Sequence, residues 1–143
     1  MKHESIVVVY DSCQAIAEEI ADKLGAETIS VQSVNTRHLE NSQSFVLAIE
    51  FFNGQGTKAG HLGDCQLTPH WQYACQTFRG ANLAGKTFAV FVALGNRQDH
   101  GAAAEVFCDE LRKSGAHVVG ELAYVSSPQW VTDNWVCIVS PSL

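Results

Sequence analysis

Three stretches of the chain, Ser5 to Tyr10, Ser44 to Phe52 and Lys86 to Leu94, are apolar at nearly every position and rich in β-branched and aromatic residues. Strands with one wet face alternate in polarity. Unbroken apolar strands need cover on both faces, which is the condition of a parallel sheet flanked by helices.

The segments in between supply that cover. Asp11 and Ser12 are good helix-capping residues, and Ile16, Ile20 and Leu24 then recur at i, i+4 and i+8, with Glu18, Glu19 and Asp22 off the stripe. The spacing predicts a helix that stops at Gly25. Thr28 to Val34 reads as a second strand, and Thr36 to Asn41 as a loop or one short helical turn. Asn53 to Asp64 carries four glycines in twelve residues, too many for the interior of an element, and long loops of this kind are often functional. Thr68-Pro69 opens a helix with Trp71, Ala74, Cys75 and Phe78 at helical spacing. Gly95 to Gly101 reads as a loop, and Ala104, Phe107, Cys108 and Leu111 as the buried stripe of a helix that Gly115 ends. His117 to Val125 and Trp135 to Val139 are expected to form the last strand in two pieces.

Strands alternating with helices imply right-handed crossovers and a three-layer α/β fold, here a single domain over residues 1–143. In such sheets ligands lie beyond the carboxyl ends of the strands, where the strand order reverses. The loops that begin at Asp11, Asn53 and Gly95 are therefore the candidate site.

Composition narrows the function. Nine Lys and Arg stand against fifteen Asp and Glu, a formal charge of −6, and no stretch concentrates base. Phosphate-backbone binding needs clustered cations, so nucleic acid is not an expected partner, whereas a basic protein is. The longest apolar runs fall far short of the ~20 residues that span a bilayer. Met1-Lys2-His3-Glu4 leads straight into a strand without a signal-peptide pattern, so a cytoplasmic location is expected. Cys13, Cys65, Cys75, Cys108 and Cys137 are odd in number and form no CxxC, which points to reduced thiols. Cys108 and Cys137 lie in apolar patterns that suit packing, leaving Cys13 as the thiol nearest a candidate loop.

The run Ala81-Asn-Leu-Ala-Gly-Lys-Thr-Phe-Ala-Val-Phe-Val-Ala-Leu-Gly-Asn96 and the run Phe107-Cys-Asp-Glu-Leu-Arg-Lys-Ser-Gly-Ala-His-Val-Val-Gly-Glu121 resemble the flavodoxin family from its fourth strand through its fourth helix. Leu94 to His100 is similar to that family's Leu-Gly-Asp-Gln-x-x-Tyr loop, and the split last strand resembles its long-chain group. The resemblance implies a five-stranded parallel sheet in the order 2-1-3-4-5. It also implies a small acidic electron carrier, not a catalyst, that holds FMN without a covalent bond. Phe52 and Asn53 then fall near the family's first ring-stacking aromatic and His100 on its second, while Gly95 and Asn96 match contacts to the ring edge. An imidazole at position 100 would make the reduction potential depend on pH; the alternative is a solvated loop histidine.

Two features depart from the family. Its phosphate loop, hydroxyl-rich and of the form T-x-T-G-x-T, is replaced by Asp11-Ser-Cys-Gln-Ala15, which is shorter, lacks glycine and brings a carboxylate to an anion site. Ser12, Cys13 and Gln14 still have N–H groups to offer, but weak FMN binding is expected, with riboflavin, another planar ligand or no ligand as alternatives. The second departure is at Ser140-Pro-Ser-Leu143, where the family has a long final helix. One sheet face is thus expected to be short of cover and to call for a second copy or a partner subunit. The fold would then serve as a binding or assembly subunit if it has lost the flavin. His61, Asp64, Cys65 and His70 lie close in sequence but lack zinc-site spacing. A haem in the same cleft stays open, a Cys65 or Cys75 thiol paired with His70 is a weaker option than packing, and no G-x-S-x-G nucleophile motif occurs.

Overall fold

Alternation along the central strands divides the core into two. A computed structural model describes residues 6–53, 65–94, 97–119, 123–124 and 134–143. In β1 (Ile6–Tyr10), β3 (Ser44–Asn53) and β5 (Thr87–Leu94), residues such as Val9, Leu47 and Val90 enter one apolar cluster, and their neighbours Val8, Val46 and Ala89 enter the other. Both sets are almost wholly buried, as unbroken apolar strands require.

The sheet runs β2 (Glu27–Ser30), β1, β3, β5, β6 (His117–Val118), with every neighbouring pair parallel. A second short piece, β7 (Ala123–Tyr124), also pairs parallel with β5. Taking β6 and β7 as two pieces of one strand gives the five-stranded parallel order 2-1-3-4-5 expected from the sequence. β4 (Cys65–Leu67) is an added antiparallel strand on the outer end of β3.

One face carries α1 (Gln14–Leu24), through Ala17, Ile20, Ala21 and Leu24. Gly25 ends α1 at φ 64°, a left-handed conformation that a side chain would strain, and its N–H reaches the carbonyls of Ala21 and Asp22. The other face carries α2 (Thr36–Asn41), α3 (Pro69–Arg79) and α4 (Arg97–Lys113). Trp71 of α3 is fully buried there, edge-on to Phe107 of α4 at 6.3 Å. The tryptophan therefore packs the core. No helix among the described residues is long and apolar enough to cross a membrane.

Four sequence expectations are resolved or corrected. The second strand ends at Ser30, because the Ser30 hydroxyl accepts the Gln32 N–H at 3.3 Å and turns Val31–Ser33 into a 3-10 helix. Of the two readings open for Thr36–Asn41 the helical one holds, begun by a capping box: the Asn35 side chain accepts from the Arg37 and His38 N–H groups, and His38 Nδ1 accepts the Asn35 N–H. α4 starts at Arg97, inside the segment Gly95 to Gly101 read as a loop.

The fourth change concerns the sheet face. Trp135 to Val139 is not a second piece of the last strand, whose two pieces β6 and β7 both lie within His117 to Val125; Val136–Val139 is a short helix, α5, followed by a 3-10 turn at Ser140–Ser142. Trp135, Val136 and Val139 sit at i, i+1 and i+4, one face of a helix, and all three are buried with α1 against Val8, Val46 and Phe91. Cys137, on the other side of α5, is exposed and not packed as the sequence pattern suggested. The expected gap in cover is thus closed by the chain itself, and the case for a second copy built on that gap falls away. Trp135 lies edge-on to Phe91 with centroids 5.3 Å apart. Replacing Trp135 by Ala is expected to cost about 3–5 kcal/mol, the usual range for deleting a buried aromatic ring. Urea unfolding measures this, and a loss below ~1 kcal/mol would mean that α5 does not cover the sheet.

Candidate functional site

The strand order reverses between β1 and β3, which lie side by side with Val9 opposite Leu47. The cleft of interest is therefore the end of β1 together with the last residues of β3. Only Asp11, Ser12 and Cys13 separate β1 from α1, so the turn is tight and lies directly over the end of β3.

Glu50 occupies the space beneath that turn. Val46 and Ala48 face α1, and Glu50, two positions on, continues on that side, where the register of β3 against β5 shifts between Ile49 and Glu50. It is 1% exposed. A carboxylate so deeply buried needs donors, and Ser12 supplies two. The Ser12 N–H donates to Oε2 at 2.7 Å, and the Ser12 hydroxyl donates to Oε1 at 2.5 Å. The Glu50 carbonyl also accepts the Thr68 N–H at 3.0 Å, tying the start of α3 to the same strand end.

A polar cluster borders this core. Asp11 Oδ2 accepts from the Thr68 hydroxyl at 3.3 Å, and Oδ1 lies 3.0 Å from His70 Nδ1. Gln32 Nε2 lies 3.4 Å from the same ring nitrogen. Nδ1 donates to Asp11 only when it carries the proton and accepts from Gln32 only when it does not; the Asp11 contact is the shorter.

The structure brings together only part of the expected site. Ser12 does not present its N–H and hydroxyl to a ligand, because Glu50 already takes both. Cys13 stands at the start of α1 without a side-chain cap and leans against the α1-side core. Gln14 is exposed, its amide bonded to Glu18 Oε1 at 3.0 Å. Phe52 and Asn53 are in β3, paired with Gln66 and Cys65, so the strand runs into what was read as the start of the loop. Their side chains lie outside the described set, as do Gly95 and Asn96, and His100 is described only as a backbone position in the first turns of α4. His61 and Asp64 also lie outside the described residues, while His70 is engaged with Asp11.

Sequence reasoning missed Glu50. The signal was present: it is the one carboxylate in the apolar run from Ser44 to Phe52, and its parity with Val46 and Ala48 sends it toward α1.

No protein-family model and no curated protein matches the chain. Solved structures do. Flavodoxin 2 from Bacillus cereus superposes with a TM-score of 0.77 at 17% identity, covering 97% of this chain and 99% of that one. Flavodoxin 1 from the same organism gives 0.73 at 19% identity over 96% and 97% of the two chains. The Fusobacterium nucleatum flavodoxin bound to flavin mononucleotide gives 0.71 at 15% identity over 96% and 98%. At these identities the likeness establishes a flavodoxin-like fold.

The phosphate end of FMN does not fit the β1–α1 turn. An anion received there would be without the two Ser12 donors, which Glu50 already uses, and it would meet the carboxylates of Glu50 and Asp11. No Lys or Arg lies between Ile6 and Asp22 to offset them.

Burial, aided by the same carboxylates, governs Cys13. Burial, the Glu50 charge and Asp11 push its thiol from the ordinary 9.0 up to about 12. Burial drives Cys75 to about 12 and Cys108 to about 11. At neutral pH these thiols are protonated and poor nucleophiles, so Cys13 has no thiolate chemistry there. Iodoacetamide at pH 8 with peptide mapping is expected to label Cys137, which is exposed, well before Cys13, Cys75 and Cys108. Rapid labelling of Cys13 would contradict its environment. Unfolded thiols lose protons above pH 9 while the folded ones keep them, so stability is expected to fall as pH rises from 9.0 toward about 11. A Cys75→Ala/Cys108→Ala variant should show a shallower alkaline drop in Tm than the parent chain; an identical drop would contradict the assignment.

Proposed function

We propose that this protein is a flavodoxin-like electron carrier that binds a flavin through its ring at the strand tips and exchanges electrons with a partner protein. The observation that carries this is the near-complete superposition on flavodoxins, one of them described as bound to flavin mononucleotide. The reversal of strand order between β1 and β3 supports it, because that is where this fold class receives ligands. A bound flavin supplies reversible transfer of one or two electrons.

The chain's own residues would do the holding. Phe52, Asn53 and His100 are the proposed ring neighbours, with Gly95 and Asn96 at its edge. Asp11, Thr68 and His70 knit the β1 tip to α3 and fix the wall of the cleft. The net charge of −6 suits a basic redox partner, and such docking weakens with salt.

A second function is favoured by a specific observation. Glu50 takes both donors of Ser12 in the β1–α1 turn, which suits a binding or assembly subunit that has dispensed with flavin. Absorption spectra of the purified chain, alone and after adding riboflavin or FMN, separate the two. Protein-associated flavin absorbance with quenched flavin fluorescence is expected; a chain that stays colourless after both additions would favour the flavin-free function.

A further inference from the structure

Resting on the flavin function proposed above, we infer that Glu50 is a built-in substitute for a ligand phosphate and makes the cleft selective for phosphate-free flavin over FMN. Four observations lead there.

The first is position. A helix N-terminus that follows a parallel strand is an anion seat, because its first N–H groups lack helical partners and point along the dipole. Here the helix is α1, eleven residues long with Cys13 at its N-cap, and Ser12 is the turn residue just before that cap, at the edge of the seat. The second is occupancy. The Glu50 carboxylate is 1% exposed and accepts both the backbone N–H and the hydroxyl of Ser12, the residue at the centre of the turn. A phosphate entering the turn would have to compete with Glu50 for those two donors.

The third is the cost of exchange. If a phosphate took the Ser12 donors, Glu50 would stay buried with its donors gone, and a buried unpaired carboxylate is among the most unfavourable groups a core can hold. The fourth is charge. Asp11, with its side chain only 14% exposed, adds a second carboxylate at the mouth of the turn. Between Ile6 and Asp22 the sequence has four acidic residues and no Lys or Arg. A dianion is therefore opposed from two sides, while the neutral ring and sugar-alcohol chain of riboflavin are not.

The test uses the full chain and two flavins. Fluorescence titration is expected to give riboflavin an affinity at least about tenfold tighter than FMN, the least that replacing two good hydrogen bonds with like-charge contacts should produce. Glu50→Gln keeps the shape and removes the charge, so it should bring FMN several-fold closer to riboflavin while leaving riboflavin itself little changed. FMN binding as tightly as riboflavin to the parent chain, or a Glu50→Gln variant with an unchanged ratio, would overturn the inference and leave the flavin function standing.

A second arm does not depend on flavin. Inorganic phosphate is expected to leave the Tm of the parent chain unchanged and to raise that of Glu50→Ala, in which the seat is open. Phosphate-dependent stabilisation of the parent chain would overturn the inference. If neither flavin binds, the flavin function fails, and this arm alone decides whether Glu50 holds the anion's place. Should Glu50→Ala not fold, the parent-chain measurement and Glu50→Gln still decide it.

Discussion

The structure depends on a parallel sheet that must be dry on both faces. In β1, β3 and β5 the buried apolar residues divide between two clusters, one on each face, so the strands need helices to close over both sides. Three helices do so on the β5–α4 side. On the other side the work is shared by α1 and the short α5, with Trp135 filling what a longer helix would otherwise cover. Burial of side chains of this size contributes roughly 1.5–3 kcal/mol each, enough to hold a four-residue helix that has little stability of its own.

The same constraint explains why Glu50 stands out. At the end of a strand buried on both faces, the first carboxylate to appear has no water to turn to, and it must be met by donors from a neighbouring element. The turn between β1 and α1 is the nearest source. Ser12 meets it with its backbone and side chain together. One buried charge thus fixes the geometry of the turn and decides what the turn is able to receive. Together with burial, which acts most strongly, it also raises the Cys13 thiol, so the cysteine nearest the candidate loop stays protonated at neutral pH.

Much of the fold was legible in the sequence because its signals are local. Unbroken apolar runs named the three central strands, and Gly25 and Gly115 marked helix ends through backbone conformations at positive φ. The C-terminal segment was misread because Trp135-Val-Cys-Ile-Val139 suits strand and helix alike. Tertiary burial settled it, with Trp135, Val136 and Val139 turned to the sheet and Ile138 left 61% exposed. The site was less legible. Its location at the strand tips follows from topology, but the use of Ser12 depends on a residue thirty-eight positions away. No spacing rule within the β1–α1 loop reveals that the loop faces a carboxylate from β3; only the parity of Glu50 with Val46 and Ala48 does.

The central claim is that Ser12 is bonded to Glu50 and closed to outside anions. The amide resonance of Ser12 in a proton–nitrogen correlation spectrum reports this directly. The resonance should stay fixed when excess inorganic phosphate is added at neutral pH to the parent chain and should move when Glu50 is replaced by Gln or Ala. A Ser12 amide that moves with phosphate in the parent chain and is unaffected by Glu50→Gln and Glu50→Ala would contradict the account.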